Sequence, residues 1–95
     1  MNMPNVSRCE AKECAYNMNQ ACHALAITIG DGTHPMCDTF TDAGAKGGDA
    51  SMTAKVGACK VGSCRWNAKL ECSAANITVS LHEGNCPDCA TFKPR

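Results

Sequence analysis

Apolar residues along this chain fall in two short, partly alternating runs and form no helical stripe. Ala24 to Ile29 and Ala74 to Leu81 mix β-branched Ile, Thr and Val with small or polar residues. That pattern predicts one strand of a small hairpin in each half. Gly30-Asp31-Gly32 ends the first strand and His82-Glu83-Gly84-Asn85 the second. Asn17-Met18-Asn19-Gln20 and Asn67-Ala68-Lys69 have the composition of tight turns, because Asn tolerates left-handed backbone geometry. No stretch carries a convincing 3.6-residue period, and at most a single turn of helix fits between Cys9 and Cys14. Residues 43–54 are rich in Gly and Ala and lack periodicity. They read as a flexible linker, which as a Gly-rich coil spans about 20 Å root-mean-square.

The two runs belong to an internal repeat. At an offset of 50, Val6 falls on Val56, Cys9 on Cys59, Cys14 on Cys64, Asn17 on Asn67, Cys22 on Cys72 and Ile27-Thr28 on Ile77-Thr78. Tyr16 meets Trp66. At an offset of 52, Pro35 meets Pro87, Cys37 meets Cys89 and Thr39-Phe40 meets Thr91-Phe92. The common pattern is Cys-x4-Cys-x-aromatic-Asn-x4-Cys-x-Ala-x2-Ile-Thr-(Ile/Val), a loop, then Pro-x-Cys-x-Thr-Phe. The copies span residues 5–42 and 55–93, and with a long linker between them they are expected to stand as independent units.

Composition then decides what can hold such units together. Leu, Ile, Val and Phe together number twelve in 95 residues, against nine cysteines. So little bulk cannot offset the entropy of ordering the chain, and units of about 40 residues usually need metals, disulfides or oligomerisation. The N-terminus, Met1 to Arg8, has no apolar segment of the secretory kind, and the longest apolar run is far too short to span a bilayer. The expected setting is therefore cytoplasmic, where thiols stay reduced and cysteine clusters bind metal or do redox work.

Zinc takes four ligands in a tetrahedron, and thiolate and imidazole suit it best. Each copy offers three early cysteines, Cys9, Cys14 and Cys22 or Cys59, Cys64 and Cys72, and one late one, Cys37 or Cys89. Three residues before the late cysteine the first copy has His34 and the second Cys86. His and Cys are interchangeable as zinc ligands but not as disulfide partners, and an odd cysteine total leaves one thiol over in any intramolecular disulfide scheme. His34 and Cys86 are held as additional candidates, His34 reading first as a polar loop residue before Pro35 and only second as a ligand. Iron in a four-cysteine site is the alternative metal, although the paired Cys-x2-Cys loops usual for it are missing.

Other chemistry finds little footing. Cys86-Pro87-Asp88-Cys89 resembles a redox CxxC, but there is no room for the βαβ scaffold of such motifs. No catalytic Ser-His-Asp arrangement, paired-carboxylate site or phosphate-cradling loop is present, so no enzymatic activity is expected. Tyr16, Trp66, Phe40 and Phe92 recur at matched positions and read as a small apolar cluster beside the metal. His23 and His82 have no counterparts and read as solvated. Lys60, Arg65 and Lys69 read as a solvated face before a thiolate counter-charge or a nucleic-acid patch.

The full pattern, Cys9-x4-Cys14-x-Tyr16-Asn17-x4-Cys22-x-Ala24-x2-Ile27-Thr28-Ile29 with Cys37-Asp38-Thr39-Phe40, resembles the bacterial family catalogued as domain of unknown function 1540. The second occurrence is Cys59 to Val79 with Cys89-Ala90-Thr91-Phe92. The resemblance implies a four-cysteine domain of roughly 40 residues, often in tandem and presumed to bind metal. It carries the ligand role onto Cys9, Cys14, Cys22, Cys37, Cys59, Cys64, Cys72 and Cys89, and leaves His34 and Cys86 outside its pattern. The expectation is thus a small zinc-stabilised protein of two tandem cysteine-rich mini-domains, built of short β-hairpins and turns with little helix. It is expected to act as a non-enzymatic protein-interaction module, through a protein partner or self-association, without membrane contact. Two alternatives stand beside it: a metallothionein-like metal-storage or metal-handling protein, and a disulfide-bonded surface or coat component.

Charge bears on one partner class. The formal net charge is zero, and residues 46–95 hold seven basic side chains and four acidic ones. A four-thiolate zinc site carries about −2, so two of them make the loaded chain about −4. Nucleic-acid binding feeds on cationic surface. Binding to DNA or RNA at physiological salt is therefore expected to be no tighter than micromolar in a filter-binding or mobility-shift titration. Submicromolar, salt-sensitive binding abolished by neutralising Lys60, Arg65 and Lys69 would overturn this.

Overall fold

The computed structural model describes residues 3–30, 35–82 and 86–95, with only the backbone of His82. The loops expected at 31–34 and 83–85, His34 included, lie outside the described residues, as does the His82 side chain. The strands are β1 (Asn5–Cys9), β2 (Asn17–Met18), β3 (Ala21–Cys22), β4 (Ala26–Gly30), β5 (Met36–Cys37), β6 (Lys55–Cys59), β7 (Asn67–Ala68), β8 (Glu71–Cys72), β9 (Asn76–His82) and β10 (Cys86–Cys89). No helix occurs among the described residues, so none is long and apolar enough to cross a membrane.

The two predicted runs become β4 and β9, and each forms an antiparallel pair with the strand carrying its own copy's last cysteine. Ile29 faces Cys37 across β4–β5, and Val79 faces Cys89 across β9–β10. The expectation of two self-contained mini-domains is corrected at this point. The strand order β1-β6-β4-β5-β10-β9 closes into one barrel that draws on both copies. The first strand of each copy pairs in parallel with the long strand of the other: Val6 lies beside Ile77 and Cys9 beside Val79, while Val56 lies beside Ile27 and Cys59 beside Ile29. The copies meet again where Asn5 pairs with Lys55 and where Asp88 pairs with Met36. Closure removes every free sheet edge from the main sheet.

The reason lies in the side chains. The largest fully buried ones are Val6 and Ile27 from the first copy and Val56, Val61, Ile77 and Val79 from the second. At about 1.5–3 kcal/mol for each buried side chain, the two of the first copy or the four of the second make a poor core alone. Pooling them makes one. Val6 and Cys9 both point inward, although their spacing is odd, because the register shifts between Val6 and Arg8; the same shift occurs opposite Ile27 and Thr28, around Gly57. These bulges turn the core valine and the cysteine to the same face.

Residues 43–54, expected as a free linker, lie along the first copy. Gly47 donates to the Ala15 carbonyl at 2.8 Å, Asp49 to His23 at 2.9 Å and Ala54 to Cys22 at 3.0 Å. Lys46 Nζ reaches the carbonyls of Lys12 and Cys14 at 3.0 and 3.2 Å. Gly48 takes φ +85°, and a Cβ there would stand 2.5 Å from the His23 carbonyl oxygen, so glycine is required. His23, read as solvated, is half-buried with Nδ1 2.8 Å from the Met52 carbonyl oxygen.

A test follows from the shared sheet. Residues 1–50 and 51–95, prepared separately with zinc, are expected to be unfolded or to associate, and to fold on mixing. Sizing with amide-proton spectra checks this. A folded, monomeric half would contradict the interlaced barrel.

Candidate metal centre

In the first copy Cys9 ends β1, Cys22 ends β3 and Cys37 ends β5. Cys14 sits where two successive turns meet, its amide bonded to the Ala11 carbonyl and its carbonyl to the Asn17 amide, both at 3.0 Å. The second copy repeats this with Cys59, Cys72 and Cys89 at strand ends and Cys64 between turns. β2–β3 and β7–β8 are hairpins with two-residue turns, Asn19-Gln20 and Lys69-Leu70, all four residues at positive φ between 53° and 68°. That is type I′ geometry, matched to strand twist.

These hairpins are anchored to the first cysteine of their copy. The amide of Cys9 donates to the Gln20 carbonyl and that of Cys59 to Leu70, each at 2.9 Å. Buried Asn17 and Asn67 send Nδ2 to the Cys9 and Cys59 carbonyls at 2.8 Å. The Asn of the repeated pattern thus ties the first cysteine to the turn that carries the second and third. Its role was not visible in the sequence beyond its constant distance from that cysteine. Thr39 and Thr91 accept hydrogen bonds from the Thr28 and Thr78 amides at 3.1 Å, fastening the last cysteine's turn to the long strand. Tyr16, Phe40, Trp66 and Phe92 pack against the core, which explains the recurring Thr-Phe and aromatic-Asn pairs.

All eight repeat cysteines converge, four on each of two cavities. Cys9, Cys14, Cys22 and Cys37 line one of about 10 Å³, and Cys59, Cys64, Cys72 and Cys89 line another of about 10 Å³. Each has room for about one atom-sized occupant. Each is also walled by the other copy: Val79 and Pro87 close the first, Ile29 and Pro35 the second. Sequence reading missed these wall residues, since only the barrel brings them across. Cys86 is half-buried on β10, is not among the cavity-lining residues, and donates from Sγ to Asp88 Oδ1 at 3.1 Å. His34 lies outside the described residues.

The sulfurs behave as packed thiols. Burial pushes the Cys37 and Cys89 thiols up to about 11. Amides of Thr39 and Phe40, and of Thr91 and Phe92, work against that rise by donating to the sulfur, while neighbouring cysteines add to it. Cys22 and Cys72 are raised by burial too, opposed by the amides of Ala24 and Ala74. Among the described residues no group of three or more His, Cys, Asp or Glu stands as it would to hold a metal ion. The cysteines share a cavity without being gathered into a tetrahedron. The donor set nevertheless fits a thiophilic metal, being four soft sulfurs on one atom-sized space with amides already aimed at two of them. The eight repeat cysteines are free thiols.

Two cationic candidates have structural partners. Lys60 Nζ lies 3.3 Å from Asp38 Oδ2, across the two copies. The Arg65 guanidinium sits 5.7 Å from the Trp66 ring centroid. Both are exposed contacts of modest worth.

Compared with known families, the chain matches the model of the family described as Domain of Unknown Function (DUF1540) twice, over residues 8–46 and 58–92. Neither the curated proteins nor the solved structures gave a match.

Replacing Asn67 with Ala removes the donor to a buried carbonyl, which costs about 1–3 kcal/mol. The melting temperature is expected to fall by several degrees, and Asn17→Ala to act equally. Losses below about 0.5 kcal/mol at both positions in denaturant titrations would show that this tie does not hold the cysteine hairpin.

Proposed function

The chain belongs to the DUF1540 family as two tandem copies of its domain, and from that premise we propose that it is a non-enzymatic metal-binding protein with one structural zinc ion per copy. The observation that carries the proposal is the division of eight cysteines, four and four, between two atom-sized cavities. Cys9, Cys14, Cys22 and Cys37 would hold one ion and Cys59, Cys64, Cys72 and Cys89 the other. When bound, zinc supplies folding energy by cross-linking four points of chain, and it deprotonates the thiols it takes. The chain's own contribution is to bring the sulfurs to one place, to exclude water with the aromatic and proline walls, and to aim amides at the sulfurs of Cys22, Cys37, Cys72 and Cys89.

The framework is better suited to holding metal than to turning over a substrate, because seven of its eight repeat cysteines are buried and the eighth, Cys89, is half-buried. A bacterial cytoplasm, which keeps thiols reduced, is the setting this reading calls for. The role we assign is a protein-interaction module, with exposed Leu25, Leu70 and Leu81 as apolar contact points.

Metal removal tests the proposal. Structural zinc in small domains contributes about 10–16 kcal/mol of apparent binding energy at neutral pH. Native mass spectrometry with elemental analysis is expected to find two zinc ions per chain, and a strong chelator to collapse amide-proton dispersion throughout. A reduced, metal-free chain that keeps its dispersion would refute the reading. Visible iron bands would replace zinc with iron, and many more than two ions would favour storage.

A further inference from the structure

Resting on the two-ion reading above, we propose that the two cysteine centres load as a coupled pair, the first ion raising the affinity of the other centre. The juxtaposition that carries this lies on the long strands. Ile29 of β4 pairs with Cys37 on one side and with Cys59 on the other, so one residue is flanked by a cysteine of each centre. Val79 of β9 is flanked in the same way by Cys89 and Cys9. These two side chains are 2% exposed, and each forms part of the cavity wall of the opposite copy.

Further ties run along the same rows. The Glu10 amide donates to the Val79 carbonyl at 2.9 Å, and the Lys60 amide to the Ile29 carbonyl at 2.6 Å, each just beyond a first cysteine. Pro87 walls the first centre and Pro35 the second, each two residues from the last cysteine of its own copy. An ion at either centre must draw in a β1 or β6 cysteine, and that strand is hydrogen-bonded to the other copy's long strand. Ordering one centre therefore orders half the frame of the other. The second ion then meets a chain with less entropy left to lose, which is positive coupling through a shared folding equilibrium. An arrangement of separate mini-domains would have no such link.

The full-length, reduced, metal-free chain, titrated with zinc and followed by native mass spectrometry, decides the matter. At half-saturation, independent centres leave about half or more of the chains with a single ion, whatever their individual affinities. For centres of equal intrinsic affinity a tenfold coupling lowers that share to about a quarter, and a quarter or less is the expected result. A share of half or more would overturn the coupling and leave two-ion binding intact, whereas absence of any bound ion would overturn both.

A second readout uses Trp66, the chain's single tryptophan, which lines the second cavity only. Cys37→Ser damages the first centre. It is expected to weaken zinc binding at the second by tenfold or more, read from Trp66 emission during competition with a chelator. Unchanged affinity at the second centre would overturn the coupling. The wild-type titration stands by itself if that variant does not fold.

Discussion

The parallel ladders between β1 and β9 and between β6 and β4 are the constraint on which the molecule is built. The first copy owns two fully buried large side chains and the second four, too few in either to exclude water from a hairpin. Laying each first strand against the other copy's long strand puts Val6 beside Ile77 and Val56 beside Ile27. Six buried side chains then share one interior, where sets of two and four would have faced solvent. Barrel closure, the missing sheet edge and the shared cavity walls all follow from that exchange.

The cysteines occupy the strand ends and turns of this frame. Six of the eight end strands of two to five residues, and the other two sit between consecutive tight turns. Backbone hydrogen bonds hold these positions, and the repeated polar residues add to them: Asn17 and Asn67 at the carbonyl of the first cysteine, Thr39 and Thr91 at the amide of the long strand. Burial favours the neutral thiol at Cys22, Cys37, Cys72 and Cys89, and amides aimed at those sulfurs favour the thiolate. Packing that protects a thiol while presenting donors to its anion suits a site whose charge is to be shared with a cation.

Pseudo-twofold symmetry is close but broken where it bears on chemistry. The aromatic before the Asn is Tyr16 in one copy and Trp66 in the other, and Ala11 answers to Val61. The Lys60–Asp38 pair has no equivalent, since Glu10 and Ala90 stand at the matching positions. The linker's described hydrogen bonds run to the first copy, through Lys46, Gly47, Asp49 and Ala54. The two centres therefore share a frame without being identical.

By itself, the sequence determined whatever depends on local spacing: the duplication, the two β-branched strands, the tight turns before Cys22 and Cys72, and the eight cysteines as two sets of four. Those features are legible because hydrophobic period, turn residues and cysteine spacing act over a few residues. Tertiary structure alone decided which copy pairs with which. Parallel pairing of β1 with β9 spans some seventy residues, and a long connection leaves no trace in the pattern on either side of it. A strand pattern states that one face is buried and is silent about the partner that buries it. The expected independence of the copies failed for that reason, and so did the free linker, whose Gly and Ala composition equally permits close docking on Ala15, Cys22 and His23. The walls formed by Ile29, Pro35, Val79 and Pro87 across the copies were likewise beyond reach, because each residue serves a centre that its own neighbours in sequence do not build.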